Sequence, residues 1–163
     1  MIGGNFRLDT LQAAIVLAKL RHLDSWIAAC QRNAARYNRL FGEMGLEIAD
    51  SSRQGPKGNG SPCVLLPRVV VDRHIFNQYV IRAGRRDELK VALQAKGVGT
   101  EIYYPLSLDL QECFSYLGHK AGAFPESESA AKETLALPIY PELSEQQARH
   151  VVQDIAEFLS TSA

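Results

Sequence analysis

The sequence predicts an α+β fold in which a long N-terminal helix precedes a small, mainly antiparallel sheet packed with three to four helices. Two observations support this class. Apolar residues recur at helical spacing early in the chain, and short β-rich runs alternate with helix patterns later. At 163 residues the chain can bury a sizeable core. We expect a loop and long helix over 1–50, a flexible linker over 51–62 and a small α+β domain over 63–163.

The N-terminal helix is expected to begin near Asp9, which can cap the first turn in a box with Gln12. From Leu20 to Phe41 apolar residues alternate at spacings of three and four, which gives one continuous stripe. Unbroken, about 33 residues would form a helix about 50 Å long. Two interpretations stay open: two helices bent near Asp24–Ser25, or one helix that also packs against something outside this chain.

The sheet is expected after the Gly-, Pro- and Ser-rich linker. β-rich runs lie at 63–71 and 75–83, and a short strand is expected over 99–104. Pro67 has no backbone N–H, so the first run is an edge strand or an irregular extended segment. Two tyrosines end the third run, just before a proline.

Four helix patterns surround these runs. One covers 85–98 and ends at a glycine, and a short one runs from Ser107 to Gly118. A third, over 124–137, has proline in its first turn. The last opens with a capping box of Ser144 and Gln147 and is expected to bury Ala148, Val151, Val152, Ile155 and Leu159.

Composition excludes several classes of function. The 18 basic and 18 acidic residues balance, and the pI is near 6.9, so bulk charge gives no support for binding nucleic acid or an acidic membrane. No apolar run approaches the roughly 20 residues of a membrane span, and the first ten residues do not resemble a signal peptide. Three separated cysteines (Cys30, Cys63 and Cys113) indicate reduced thiols and a cytoplasmic protein, and no zinc-type spacing is present.

The residues alone contain no self-contained catalytic constellation. Gly3–Asn5 lies just before a helix, where backbone amides, with Asn5 and Arg7, could bind a phosphate. A flexible glycine turn explains the same residues. Tyr103 and Tyr104 would face opposite sides of a strand, so one could fill the core and the other meet solvent or a ligand.

Four stretches, in order, resemble the C-terminal part of the PLP-dependent nucleotide-sugar aminotransferases of the DegT/DnrJ/StrS type, which have fold type I. They are "GGNFRLDTLQAAIVLAKLRHLDSW", "RNAARYNRLF", "NQYVIRAGRRDELKVALQAKGVGTEIYYPLSLDLQECF" and "FPESESAAKETLALPIYPELS". Each stretch is weak evidence alone. The four stretches occur in the order typical of the family, and the resemblance covers nearly the whole chain.

The resemblance implies a role for four residues. Asn5 matches an asparagine that reaches into the neighbouring subunit and holds the cofactor phosphate. Arg7 matches an arginine that contacts the nucleotide diphosphate of the substrate there. Tyr103 and Tyr104 match residues that line the sugar-nucleotide pocket. The chain also departs from the family: Ser107 and Asp109 replace a usual proline and histidine, and the role of that histidine is therefore not carried over.

The resemblance also implies what this sequence lacks. In relatives the Schiff-base lysine lies in a large domain N-terminal to the segment that begins here, and a PLP transaminase needs that lysine. We therefore expect a truncated domain that is not catalytic alone, with no cofactor in the isolated chain. One alternative is a self-associating or partner-binding module, a homodimer or complex formed through the long helix and an exposed sheet face. Another alternative is that this chain forms half of a site and that a separate, lysine-bearing chain completes it in trans. We expect this chain to bind a nucleotide sugar only if the site is completed in this way.

Overall fold

The computed structural model describes residues 8–45 and 64–161. Asn5, Arg7, Cys63 and the expected linker lie outside the described residues. The elements in chain order are α1 (Thr10–Leu20), α2 (Leu23–Glu43), β1 (Val64–Leu65), β2 (Tyr79–Ala83), α3 (Arg86–Ala95), α4 (Pro125–Glu133), β3 (Thr134–Leu137) and α5 (Glu145–Thr161). Two short 3₁₀ turns, Leu108–Leu110 and Glu112–Leu117, lie between α3 and α4. The α+β class is confirmed.

The sheet is antiparallel and has the order β1-β2-β3, so β2 is central. Val64 pairs with Ala83, and Tyr79 pairs with Leu137. Side chains alternate between the two faces of a strand. Tyr79, Ile81 and Ala83 of β2 accordingly face the core, and two leucines of β3 join them.

Helices α2, α3 and α5 cover this core face. Each contributes its apolar stripe to a single buried cluster, and a fully buried large apolar side chain contributes roughly 1.5–3 kcal/mol. The five side chains that the sequence assigned to the buried face of α5 are all buried. The predicted Ser144–Gln147 box also forms: the Gln147 amide donates to Ser144 Oγ at 3.2 Å, and the Ser144 amide donates to Gln147 Oε1 at 2.9 Å.

Helix α4 covers part of the opposite face of the sheet. Arg82 of β2 donates to Glu133 Oε2 at 2.9 Å and to Ser129 Oγ at 3.0 Å. At the end of α4 the buried guanidinium of Arg86 donates to the carbonyl of Ala131 at 2.9 Å. Gln78, just before β2, is exposed.

The N-terminal apolar pattern forms two helices rather than one. The break lies at Arg21–His22, just before the expected bend near Asp24–Ser25. The Asp9 cap is confirmed, because the Gln12 amide donates to Asp9 Oδ1 at 2.8 Å. Six residues of α2 are buried, whereas none of α1 is.

The described part of the run at 63–71 is a short edge strand, Val64–Leu65, followed by irregular chain, as predicted from Pro67, which cannot donate to a ladder. The 75–83 run becomes a strand only at Tyr79, because Phe76 has a positive φ of 48°, which extended backbone does not allow.

Two further boundaries are wrong. The expected strand at 99–104 is reduced to one bridge, between Glu101 and Ala136. The expected helix over 124–137 ends at Glu133, because Thr134 turns to extended backbone (φ −76°, ψ 137°) and the chain continues as β3.

The single helix expected from Ser107 forms two 3₁₀ turns, which end at Gly118 as predicted.

Candidate functional site

The two adjacent tyrosines lie on a loop that we call the tyrosine loop, residues 102–110. Its start is attached to the edge of the sheet: the Glu101 amide donates to the Ala136 carbonyl at 3.1 Å, and the Ala136 amide donates back at 2.8 Å. Ile102 then packs against the buried cluster. The chain therefore leaves the sheet from a fixed position, with the tyrosines directly after it.

Both phenol rings of the tyrosine loop are exposed. Tyr103 is 49% and Tyr104 64% exposed, and their rings meet edge to face with centroids 6.2 Å apart at 85°. The peptide bond between them is cis. Neither side chain fills the core, because the pairing with the sheet ends at the Glu101–Ala136 bridge and the alternation of strand faces does not extend to the tyrosines. The prediction that one tyrosine could be buried is therefore wrong.

The far end of the tyrosine loop is attached to α4. Ser107 is buried, and its Oγ lies 2.7 Å from Ser127 Oγ and also donates to Asp109 Oδ1. The second oxygen, Asp109 Oδ2, is buried and has no hydrogen-bond partner among the described residues. Ser107 and Asp109 thus fix the loop through a polar cluster with Ser127.

A carboxylate sits where the tyrosine loop begins. The Ile102 amide donates to Glu101 Oε1 at 2.9 Å, and Lys90 Nζ lies 3.5 Å from the same oxygen. The amide hydrogen bond, followed by the Lys90 charge, lowers the pKa of Glu101. Glu101 is therefore ionised at neutral pH and held in one orientation by its own backbone.

Next to Tyr103 the structure opens a cleft of about 390 Å³. Its lining includes Gln78 and Glu101, neither of which the sequence analysis selected. No local motif marks these residues. They meet only because β2, β3 and the 99–103 segment come together in the folded chain.

The described residues do not fit a pyridoxal phosphate site on their own. Lys96 donates to Glu157 and to Asp154, and these hydrogen bonds raise its pKa, the reverse of what a Schiff-base amine requires. Lys90 donates to the Thr100 carbonyl at 3.1 Å. The other lysines of the described ranges (Lys19, Lys120 and Lys132) are exposed.

Across residues 8–45 and 64–161, no group of three or more His, Cys, Asp or Glu side chains could hold a metal ion. Within the same ranges, no helix is both long and apolar enough to cross a membrane.

Solved aminotransferases share this fold. The chain superposes on the crystal structure of DesV from S. venezuelae in complex with a ketimine intermediate, with a TM-score of 0.77 and 31% identity, over 98% of this chain and 38% of that one. A DegT/DnrJ/EryC1/StrS aminotransferase from Brucella abortus gives a TM-score of 0.71 and 35% identity over 96% of this chain and 37% of that one. The fold is therefore that of one part of a fold-type I aminotransferase.

The sequence comparisons agree with this class. The family model of the DegT/DnrJ/EryC1/StrS aminotransferases matches residues 1–156, and the chain belongs to that family. It is 45% identical over 159 residues to a pleiotropic regulatory protein of Geobacillus stearothermophilus, covering 97% of this chain and 39% of that protein. It is 34% identical over 157 residues to the dTDP-3-amino-3,4,6-trideoxy-alpha-D-glucose transaminase of Streptomyces venezuelae, covering 96% of this chain and 37% of that protein. The chain thus spans well under half the length of these curated relatives.

Of the four predicted site residues, the structure describes two. It places Tyr103 and Tyr104 together on the surface. Asn5 and Arg7 lie outside the described residues, and their roles stay predictions.

Proposed function

We propose that this chain supplies one side of a nucleotide-sugar site in a PLP-dependent aminotransferase and does not catalyse transamination alone. The observation that carries the proposal is the tyrosine loop: two exposed phenols on a segment attached at Ala136 and at Ser127. Exposed aromatic side chains on a fixed loop favour ligand contact.

Three points support this assignment of substrate class and inactivity. The chain belongs to an aminotransferase family whose relatives include a transaminase named for a dTDP-sugar. It spans 37–39% of the length of the first relatives. Among the described lysines, Lys96 is paired with two carboxylates, which leaves no free amine for a Schiff base at that position. In this proposal, pyridoxal phosphate would supply the transamination chemistry after another polypeptide part brings the lysine.

The test combines the purified chain with pyridoxal phosphate and L-glutamate. We expect no 2-oxoglutarate above the level that pyridoxal phosphate gives alone. Borohydride reduction followed by mass spectrometry of the peptides should find no single lysine modified stoichiometrically. Turnover would show that the chain is catalytic alone and overturn this part of the proposal. One stoichiometrically labelled lysine without turnover would contradict only the expectation that no lysine of this chain forms a Schiff base.

We propose self-association through α1 as a second function, because one observation specifically favours it. Helix α1 has exposed apolar side chains on several of its sides: Leu11, Ile15, Leu17 and Leu20. A helix that is apolar on several sides is normally buried. Two copies could cover these side chains, since contiguous exposed apolar surface of several hundred Å² marks an interface.

Sedimentation velocity over a range of concentrations tests this second function. We expect Leu17→Gln to shift the chain toward monomer. Val91→Gln is the matched control, because Val91 on α3 is 67% exposed and Leu17 is 68% exposed, yet Val91 lies outside the proposed interface. A chain that is monomeric at every concentration would contradict homodimer formation.

A further inference from the structure

A second cavity lies between α5 and the chain that leaves α3. Its volume is about 290 Å³. Gly99 and Pro138 border both this cavity and the cleft next to Tyr103, but the rest of its lining is different. That lining comes from the chain after α3, the segment before α5 and α5 itself, and it includes Val98, Tyr140, Leu143, Gln147, His150 and Val151. We call this cavity the α5 pocket.

The walls of the α5 pocket are mostly apolar. Val98, Leu143 and Val151 belong to the buried cluster, so packing fixes their positions. Tyr140 adds an aromatic ring that is 38% exposed, and its backbone is held because Asn33 Nδ2 donates to the Tyr140 carbonyl at 2.7 Å. An apolar cavity of about 150 Å³ already holds one benzene ring. The size and the walls of the pocket therefore suit a small aromatic molecule.

The α5 pocket offers little to an ion. Its described lining residues include no Asp, Glu, Lys or Arg. Close by, Lys96 Nζ pairs with Asp154 Oδ1 at 3.1 Å and also with Glu157, and none of these three residues lines the pocket. A charged ligand would lose its hydration without gaining a partner of opposite charge. A neutral molecule meets no such penalty.

One polar group of the pocket has a preferred role, because a buried carboxylate lies behind it. His150 Nε2 lies 3.3 Å from Asp154 Oδ2. Asp154 is only 7% exposed, and this oxygen has no hydrogen-bond partner among the described residues. A buried oxygen without a donor is costly, so a proton on Nε2, brought closer by a small rotation of the exposed ring, is favoured. In a neutral imidazole the other nitrogen is then an acceptor. His150 Nδ1 can therefore accept a hydrogen bond from a ligand.

We propose that the α5 pocket binds a small, neutral aromatic molecule that carries one hydroxyl group, a phenol, with His150 Nδ1 as the acceptor of the hydroxyl proton. The ring packs against Tyr140 and the apolar wall. Asp154 is a positioning residue, because it acts on the ligand only through His150 Nε2. The proposal does not depend on the proposed function, since neither Tyr103 nor Tyr104 lines this pocket.

Amide shifts of the ¹⁵N-labelled chain at about pH 8, above the range in which imidazoles usually titrate, test the proposal. Phenol, anisole and benzoate are titrated separately. Anisole keeps the ring and the oxygen but has no donor, and benzoate is an anion. We expect phenol to shift the amides of Val98, Gly99 and Val151 and to bind at least about fivefold more tightly than anisole. Equal binding of phenol and anisole, tighter binding of benzoate, or no shift of these amides with any probe would overturn the proposal.

A substitution at His150 separates the hydrogen bond from the apolar contacts. His150→Phe keeps an aromatic ring and removes the acceptor. It should weaken phenol binding about fivefold and leave anisole binding unchanged, so that the two probes bind alike. His119→Phe is the matched control and should bind like the parent chain, because His119 is also exposed and lies outside the pocket lining. Well-dispersed spectra show that each variant is folded, and unchanged phenol binding in His150→Phe would contradict the role of Nδ1.

The ring ¹⁵N shifts of His150 test the positioning role of Asp154, because they show which ring nitrogen carries the proton. We expect Nε2 to be protonated and Nδ1 unprotonated in the free chain, and this preference to be lost in Asp154→Asn. That variant also removes one ion-pair partner of Lys96. Glu157→Gln removes the other partner, so it is the control and should keep the preference. A parent chain with the His150 proton mainly on Nδ1 would overturn the proposal.

Discussion

Helices α1 and α2 follow one another in the sequence, and α1 is the richer of the two in apolar residues, yet α1 is exposed and one face of α2 is buried. Tyr37, Leu40 and Phe41 of α2 are completely buried, whereas no residue of α1 is buried. The difference lies in the pattern. In α2 one face is polar and the other packs on α5, while α1 is apolar on several sides. Apolar content alone therefore does not make a helix part of the core of this domain.

The largest expected effect contrasts one side chain from each helix. Phe41→Ala removes a fully buried ring and should lower the free energy of unfolding by about 3–5 kcal/mol. Leu17→Ala, on the exposed surface of α1, should change it by no more than about 0.5 kcal/mol. Urea unfolding at low protein concentration measures both. Equal losses would show that α1 is packed in solution and would remove the contrast.

A second pair of substitutions compares a buried tyrosine, Tyr37, with an exposed one, Tyr104. Tyr37 is buried, which raises its pKa well above the usual value, and its hydroxyl donates to the Pro138 carbonyl at 2.8 Å. Tyr37→Phe leaves that carbonyl without this donor and should cost about 1–2 kcal/mol. Tyr104→Phe, on the exposed loop, should leave stability unchanged. Chemical unfolding of both variants checks this, and a large loss in Tyr104→Phe would contradict the exposed position of that ring.

A third substitution concerns the boundary between the core and the cleft. The hydroxyl of Thr100 is buried and has no hydrogen-bond partner among the described residues. Thr100→Val should therefore raise the unfolding free energy, by about 1 kcal/mol. Thr134→Val is the control with the opposite expectation, because the Thr134 hydroxyl donates to the Ala130 carbonyl at 2.7 Å. Thermal unfolding ranks the two variants, and a destabilised Thr100→Val would indicate that its hydroxyl has a partner.

The smallest expected effect is a pH dependence of folding stability, which arises from ion pairs between α2 and α5. Glu145 accepts from Arg39 at 3.0 Å and from Arg149 at 3.3 Å, and these hydrogen bonds lower its pKa below the usual value of a glutamate. A lowered folded-state pKa stabilises the fold above the unfolded-state value and loses that effect as the pH falls. We expect stability to drop slightly as the pH falls below about 5 and on through the lowered pKa of Glu145, and to drop less at high salt.

The matched variant for this effect is Glu145→Gln, which should flatten part of the pH dependence. The measurement is the urea midpoint at each pH. An unchanged slope in Glu145→Gln would assign the acid loss to other carboxylates, such as Glu88, whose pKa is lowered by the Arg85 hydrogen bond.

The helices were predictable from the sequence because their signals are local. The cap at Ser144 and the apolar spacing of α5 lie within one short segment, and all five assigned core residues are buried. Strand β3 was missed for the opposite reason. Its pattern contains two leucines, and what makes it a strand is pairing with β2, far away in the sequence. The fold class needed only the local signals, whereas the strand boundaries needed the partner strands.

The candidate site likewise has features that the sequence predicts and features that only the folded structure shows. A resemblance in the sequence selected Tyr103 and Tyr104, and the structure shows them side by side. Their joint exposure was not predictable, because it depends on the pairing with the sheet ending at the Glu101–Ala136 bridge, before the tyrosines. Gln78 and Glu101 carry no motif, and only the folded sheet brings them to one cleft. Nothing in their own neighbourhoods in the sequence could have paired them.

The central position of β2 also constrains the order of folding. Its two neighbours come from opposite directions along the chain, and Tyr79 meets its partner Leu137 only after α3 and α4 have been traversed. Closing so long a loop costs entropy before any pairing repays it, which slows folding. During synthesis β2 has one side unpaired until β3 has left the ribosome. An unpaired strand of this kind is a template for aggregation, and the interval before β3 arrives is therefore when a nascent chain of this protein most needs a chaperone.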